Sequence, residues 1–150
     1  MKRFLIFLMV LCSVICSIYI PSLQYYAEDK DGTYYFYTTQ NYESPISKTT
    51  KNGNGFIISC DIKKASIVQK ALNKNLLVGE SFVFKGDAND VVLLLNDMDI
   101  LYKTNNDLDI IAYSPKIPYT ICLNNQIFNI QISQNNNLVY VGFPAIFGSF

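Results

Sequence analysis

Residues 4–20 (FLIFLMVLCSVICSIYI) run seventeen positions without a charge. The recurring polar positions that mark the wet face of an amphipathic helix are missing from this stretch. Met1-Lys2-Arg3 stands before it and Pro21 ends it. A basic start followed by an apolar run is the plan of an export signal. A run of that length also lies at the lower end of what spans a bilayer as one helix, about 17–25 residues. The pattern predicts an N-terminal apolar helix that serves as a cleaved signal or an uncleaved anchor. The cleavage cue is poor, because Tyr25-Tyr26-Ala27 puts a bulky side chain where a small one is preferred and no A-x-A occurs. Cys12 follows Leu11 and Cys16 follows Ile15, so neither has the small residue expected before a lipidated cysteine. A buried helix of a soluble fold is the competing reading. Residues 1–22 are therefore read as signal peptide or signal-anchor, 23–32 as a linker, and 33–150 as one extracytoplasmic domain.

Past the linker the hydrophobic period changes several times. Residues 33–39 (TYYFYTT) are aromatic and threonine-rich, which suits a strand. Residues 40–55 are polar and carry Pro45, Asn52-Gly53 and Asn54-Gly55, the marks of a loop or mobile arm. Residues 55–60 (GFIISC) predict a second strand. Ile62, Ala65, Val68 and Leu72 then recur at helical spacing, with Asp61 placed to cap the helix. Residues 81–85 (SFVFK) alternate as a strand does. Gly86 and Asp87 open a second helix, with Asp90 three residues beyond the cap as in a capping box and 91–95 as its buried body.

The remainder predicts a β-meander. Residues 99–103 and 107–113 flank Asn105-Asn106, and 119–123 and 126–132 flank Asn124-Asn125. Asn135-Asn136-Asn137 leads into a last strand at 138–142, and asparagine tolerates the positive φ of such turns. In the second hairpin Tyr119, Ile121 and Leu123 share a face with Phe128, Ile130 and Ile132, while Thr120, Cys122, Asn129 and Gln131 fall opposite. One greasy and one polar face predict a sheet covered on one side only. The fold class is α+β: two helices packed on one face of a mostly antiparallel sheet that ends in a β-meander. Residues 138–150 (LVYVGFPAIFGSF) carry no charge, so this tail is expected to be buried in the core or against a partner.

Charge removes one class of function. Without Lys2 and Arg3 the chain has ten lysines against twelve Asp and Glu, a net of −2. The lysines are scattered among acids, whereas a nucleic-acid binder needs a clustered positive field. No nucleic-acid partner is expected. The eleven lysines to one arginine, with many Asn, Ile and Tyr, fit an AT-rich coding sequence and hint at a low-GC bacterium.

Missing residues narrow the chemistry further. There is no histidine, so the commonest general base and metal ligand is gone and Ser–His and Cys–His pairs are impossible. The two cysteines beyond the leader, Cys60 and Cys122, cannot build a four-cysteine zinc site. They can pair as a disulfide in an exported chain or stay as separate thiols, and separate thiols are favoured. Ser-x-x-Lys and glycine-rich phosphate loops are absent too. Asp29-Lys30-Asp31-Gly32 resembles part of a calcium loop, but the register puts Ala27 at the first ligand and Thr38 at the bidentate acid. No catalytic residue, metal site or cofactor is expected. The pairs Asp29/Asp31, Asp97/Asp99 and Asp107/Asp109 are all that an Asp-dependent hydrolase would have to work with.

Tyrosine is the one abundant binding group. Alternation in 33–39 sets Tyr35 and Tyr37 on one face and Tyr34 and Phe36 on the other. Tyr35, Tyr37, Phe147 and Phe150 are the candidate binding residues, since exposed aromatic rings stack on proteins or sugars. Residues 110–115 (IIAYSP) with Pro118-Tyr119, then Phe128-Asn129-Ile130-Gln131-Ile132, then Val141-Gly142 and Phe147-Gly148-Ser149-Phe150, resemble small uncharacterised exported proteins of low-GC Gram-positive bacteria. The resemblance spans about half the chain and implies an exported α+β domain, with no activity or site to carry over. The expectation is a non-enzymatic, exported or membrane-anchored envelope protein that acts by protein–protein contact. Its partners would be another envelope protein or itself, with the membrane engaged through 4–20. The alternatives are a glycan- or peptidoglycan-binding module and an Asp-dependent hydrolase.

Overall fold

A computed structural model describes residues 23–106 and 109–146. The apolar leader, Asp107 and the tail aromatics Phe147 and Phe150 lie outside the described residues. The strands are β1 (Gly32–Thr38), β2 (Ser47–Asn52), β3 (Gly55–Asp61), β4 (Leu77–Lys85), β5 (Tyr102–Asn106), β6 (Asp109–Tyr113), β7 (Ile121–Leu123), β8 (Gln126–Phe128), β9 (Ile130–Asn135) and β10 (Leu138–Phe143). Helix α1 (Ala65–Ala71) lies between β3 and β4, and α2 (Ala88–Asp97) between β4 and β5. Eight strands form one antiparallel sheet in the order β2-β3-β1-β4-β10-β9-β6-β5, and β7 and β8 form a separate two-stranded ribbon. The α+β class and the antiparallel sheet are as the pattern predicted.

Local chemistry explains the helix starts. The Asp61 carboxylate accepts from Lys63 N at 2.9 Å and opens a 3-10 turn, Ile62–Lys64, that runs into α1. Asp87 accepts from Asn89 N at 2.8 Å, and Asp90 Oδ2 accepts from Asp87 N at 2.9 Å. Asp90 thus does the work of the usual Glu in a full capping box. The body of α2 is narrower than expected: Val91, Leu94 and Leu95 are buried while Val92 and Leu93 face out.

One face of the sheet carries the core. Cys60, Tyr34, Phe82, Val141, Ile132 and Ile110 lie in register across β3, β1, β4, β10, β9 and β6. Beside them runs Ile58, Phe36, Glu80 and Phe143. Both helices pack on this face, through Ala65, Val68 and Leu72 and through Val91, Leu94 and Leu95.

Several segments differ from the sequence reading. Residues 23–32 are not a spacer: Leu23–Ala27 forms a 3-10 helix with Leu23, Tyr26 and Ala27 inside the core. Burial of Leu23 and Tyr26 contributes about 1.5–3 kcal/mol each. The supposed arm at 40–55 contains β2, which hairpins onto β3 through Gly53 at φ 56°. Strand β4 begins at Leu77, four residues before the expected start. Asn105 and Asn106 are not turn residues, because they pair with Ile110 and Asp109 at the end of β5. Asn124 and Asn125 do form the expected turn, at φ 51° and 63°, and Asn136 does at φ 56°. The strand expected over 126–132 is broken at Asn129 into β8 and β9.

The last strand is central rather than terminal. β10 pairs with β9, as the meander predicts, and with β4 on its other side. It joins β2-β3-β1-β4 to β9-β6-β5. After it the chain crosses the cis Phe143–Pro144 bond and folds back over the sheet. A Cβ on Gly142 would collide with the backbone of Ala145 and Ile146, so only glycine fits beneath this return.

Candidate functional site

Among the described residues, the second face of the sheet carries no helix. A row in register crosses all eight strands on this side: Lys48, Ser59, Tyr35, Ser81, Gly142, Gln131, Ile111 and Thr104. A parallel row holds Thr33, Val83, Tyr140 and Ser133. Most of these side chains are partly buried by one another and partly open to water. Charge on this face lies at strand ends or the sheet edge, at Lys48, Asp61, Lys85 and Asp109. Small residues in the middle, Ser81 and Gly142, leave room for the returning tail, which is fixed where Ile146 N donates to Gln131 Oε1 at 3.0 Å. At the β5–β6 end Tyr102 and Tyr113 stack at 5.5 Å with planes 11° apart.

The predicted binding residues divide on this face. Tyr35 is partly exposed, and burial pushes its hydroxyl pKa up. Tyr37 is buried at 5% exposure, with its hydroxyl 2.7 Å from Ser81 Oγ. It shares Tyr35's face but is not open to a partner as the chain stands. Phe147 and Phe150 lie outside the described residues. Sequence reasoning missed Val83, Tyr140 and Ile111 as members of the same surface. Strand alternation could have found Val83 and Tyr140, but placing them beside Tyr35 requires the strand order.

Within the core sits an ionisable group that no motif announced. Glu80 is 2% exposed and accepts three hydrogen bonds: from Tyr34 Oη at 2.6 Å, Tyr119 Oη at 3.0 Å and Gln69 Nε2 at 3.2 Å. Burial raises its pKa, and the three donors together with Lys74 pull it back down. Burial and the carboxylate beside them push the Tyr34 and Tyr119 hydroxyls far above the usual tyrosine range. The cluster ties α1, β1 and the segment before β7 to β4. Asn129 holds that segment in place: it accepts from Ser114 N at 2.9 Å and donates to Ser114 O at 2.7 Å and Ile117 O at 3.1 Å. The strand breaks at Asn129 because its amide serves the loop. The Asn129 side chain is fully buried with both ends of the amide satisfied, which makes the cluster a brace.

The acidic pairs are dispersed. Asp31 binds Lys63 at 2.6 Å, which holds its pKa below the ordinary value, and Asp99 binds Lys116 at 2.6 Å. Asp29 and Asp90 share Lys30, at 3.3 and 3.5 Å. An open groove of about 440 Å³ between Leu23–Ala27 and α2 is lined by Tyr25, Tyr26, Glu28, Lys30, Leu93 and Asp97, among others. Cys60 and Cys122 are separate thiols, one buried and one exposed, as the sequence favoured. Burial raises the Cys60 thiol to about 11, with Asp61 adding to the rise. Among the described residues, no three Cys, Asp or Glu side chains gather where they would hold a metal ion, and no helix is long and apolar enough to cross a membrane. No family model matches the chain, and neither a curated protein nor a solved structure does.

Proposed function

We propose that this chain is an exported, non-enzymatic protein that acts by contact, and that the open face of its sheet receives a protein partner. The carrying observation is the make-up of that face: Tyr35, Tyr140, Val83, Ile111, Ser59 and Ser133 with charge only at the margins. Tyrosine-rich, charge-depleted surface is what distinguishes the centre of protein interfaces. Size supports the reading as well. Eight strands at about 4.8 Å spacing and about 20 Å of strand length give roughly 700 Å², close to the ~800 Å² per partner of a standard interface. The two edges of the sheet suit monodisperse life in water: β2 carries Lys48 and Lys51, and β5 carries Lys103. Lysines there discourage edge-to-edge addition, which leaves the face as the contact. The leader pattern of 1–22 supplies the export half of the proposal.

A photo-crosslinking residue placed at Tyr35 in the full chain tests it, with the same residue at the exposed Lys70 of α1 as control. The expected result is a discrete protein adduct from position 35 alone that disappears when Ile111→Lys sets a charge on the same row. Equal adducts from both positions would overturn the proposal. So would binding to purified cell wall that Tyr35→Lys abolishes, because that result assigns the face to a glycan.

A further inference from the structure

The segment that directly follows the leader is core. Leu23 is 3% exposed, Tyr26 4% and Ala27 0%. The Tyr26 ring lies 6.3 Å from that of Phe143 in the central strand β10. Lys30 N donates to Ala27 O at 2.9 Å and fastens the turn to the approach of β1. Processing after Ala27, where the sequence offers a small residue at the end of a Tyr-Tyr-Ala triplet, would strip Leu23 and Tyr26 from a finished core. A chain that discards residues on export does not build its core from them. Upstream the position is no better. Nowhere in 4–27 do two small residues stand two apart, and that pair is what the cleaving enzyme reads. Ser22 has Ile20 at the second position, and Ser17 has Ile15.

We infer that residues 4–20 stay on the mature protein and hold the domain against the bilayer, with lipid hydrocarbon as the partner of the leader. The inference rests on the export reading of the leader and decides between its two forms. Only Pro21 and Ser22 separate the apolar run from the first core residue. Two residues reach about 7 Å when fully extended, so the domain sits flush with the membrane surface. The domain's own surface does not supply the attachment. Glu28, Asp29 and Asp97 line the groove beside Leu23–Ala27, and anionic headgroups repel carboxylates. Tyr25 and Leu93 are exposed there at 62% and 60%, too few apolar groups to hold a domain at a surface without a covalent anchor.

The test uses the full chain with a C-terminal tag, produced in a Gram-positive host. The expected product resists alkaline carbonate extraction from membranes and has an intact mass that includes residues 4–20. The double variant Ile20→Ala, Ser22→Ala creates an A-x-A cleavage cue. It is expected to move the protein into the medium as a species that begins at Leu23 and keeps the protease resistance of the parent. A parent protein whose N-terminus maps to Leu23 or Glu28 would overturn retention while leaving export intact. An uncut parent in the cytosol would overturn the export reading itself. Crosslinking at Tyr35 reads the contact proposal separately in each case.

Discussion

Replacing Glu80 by glutamine isolates the buried carboxylate. Glutamine has the same shape, and its carbonyl can keep the bonds from Tyr119 and Gln69, now at 3.0 and 3.2 Å. Its amide then faces Tyr34, whose hydroxyl turns from donor to acceptor. The perturbation therefore removes the charge and leaves the packing. Burial raises the folded pKa of Glu80 above its unfolded value of about 4.3. Between those two values the folded state binds more protons than the unfolded one, so stability falls as pH rises through the window. Each unit of separation is worth about 1.4 kcal/mol. Glu80→Gln cannot titrate and lacks this slope. The assay is urea unfolding of residues 23–150 from pH 4 to pH 8, for parent and variant side by side. Other carboxylates contribute equally to both, and Asp31, whose pKa is lowered, acts in the opposite direction. The difference between the two curves therefore belongs to Glu80. The two proteins are expected to match within about 1 kcal/mol at the acid end, consistent with one exchanged hydrogen bond. The parent then loses ground to the variant towards neutral pH. Glu80→Ala is the counterpart: it strands the Tyr34 hydroxyl at 0% exposure, which costs about 1–3 kcal/mol at the acid end, and that deficit narrows towards neutral pH because alanine lacks the titration as well. Parallel pH curves for parent and Glu80→Gln would refute the reasoning, as would a parent that gains on the variant as pH rises.

Two other perturbations read separate features. Gly142→Val sets side-chain atoms where the backbone of Ala145 and Ile146 passes; the expected cost is about 1–3 kcal/mol, seen as a lowered melting temperature and faster clipping of the C-terminus by protease. In residues 23–150 a maleimide at pH 7.5 is expected to label the exposed Cys122 first. Cys60, 6% exposed with its pKa at about 11, should lag by roughly two to three orders of magnitude. Two equal rates would contradict the burial of Cys60.

What the sequence disclosed depended on whether short-range chemistry decided the outcome. Asp87 and Asp90 cap the helix they were expected to cap, because a cap is settled within three residues, whereas Asp61 caps the 3-10 turn Ile62–Lys64 that precedes α1 rather than α1 itself. Asn124-Asn125 turned for the same reason. The polar run Ser47–Asn52 showed no hydrophobic alternation, since the side chains this edge strand half buries are themselves polar, Ser47 and Thr49, with the Thr49 hydroxyl bonded to Tyr42 O. Asn105-Asn106 has the same composition as the true turns, and pairing with β6 overrode it. Glu80 left a trace that went unread: it stands in phase with Phe82 and Phe84, so any strand that buries the two rings buries the carboxylate as well. Tyr119 and Gln69, its partners from 39 and 11 residues away, carry no local mark. The contact face was half legible. Alternation separated Tyr35 from Tyr34, while Tyr140 and Ile111 become its neighbours only once β10 and β9 are in place.

The place of β10 sets the timing of folding. Strands β1 to β4 can pair among themselves as they are made, and so can β5, β6 and β9. Each group then ends in an unpaired inner edge, β4 on one side and β9 on the other, and the strand that fits between them is synthesised after both. Until then Phe82, Phe84, Ile130 and Ile132 have no Val139, Val141 or Phe143 beside them. Closure over such separations in sequence is slow, because the entropy of the intervening chain is lost before the contacts form. A nascent chain therefore stays loose until its final strand appears. Under the export proposed above, that delay would be useful, since a domain that locked early would jam in a narrow translocation channel.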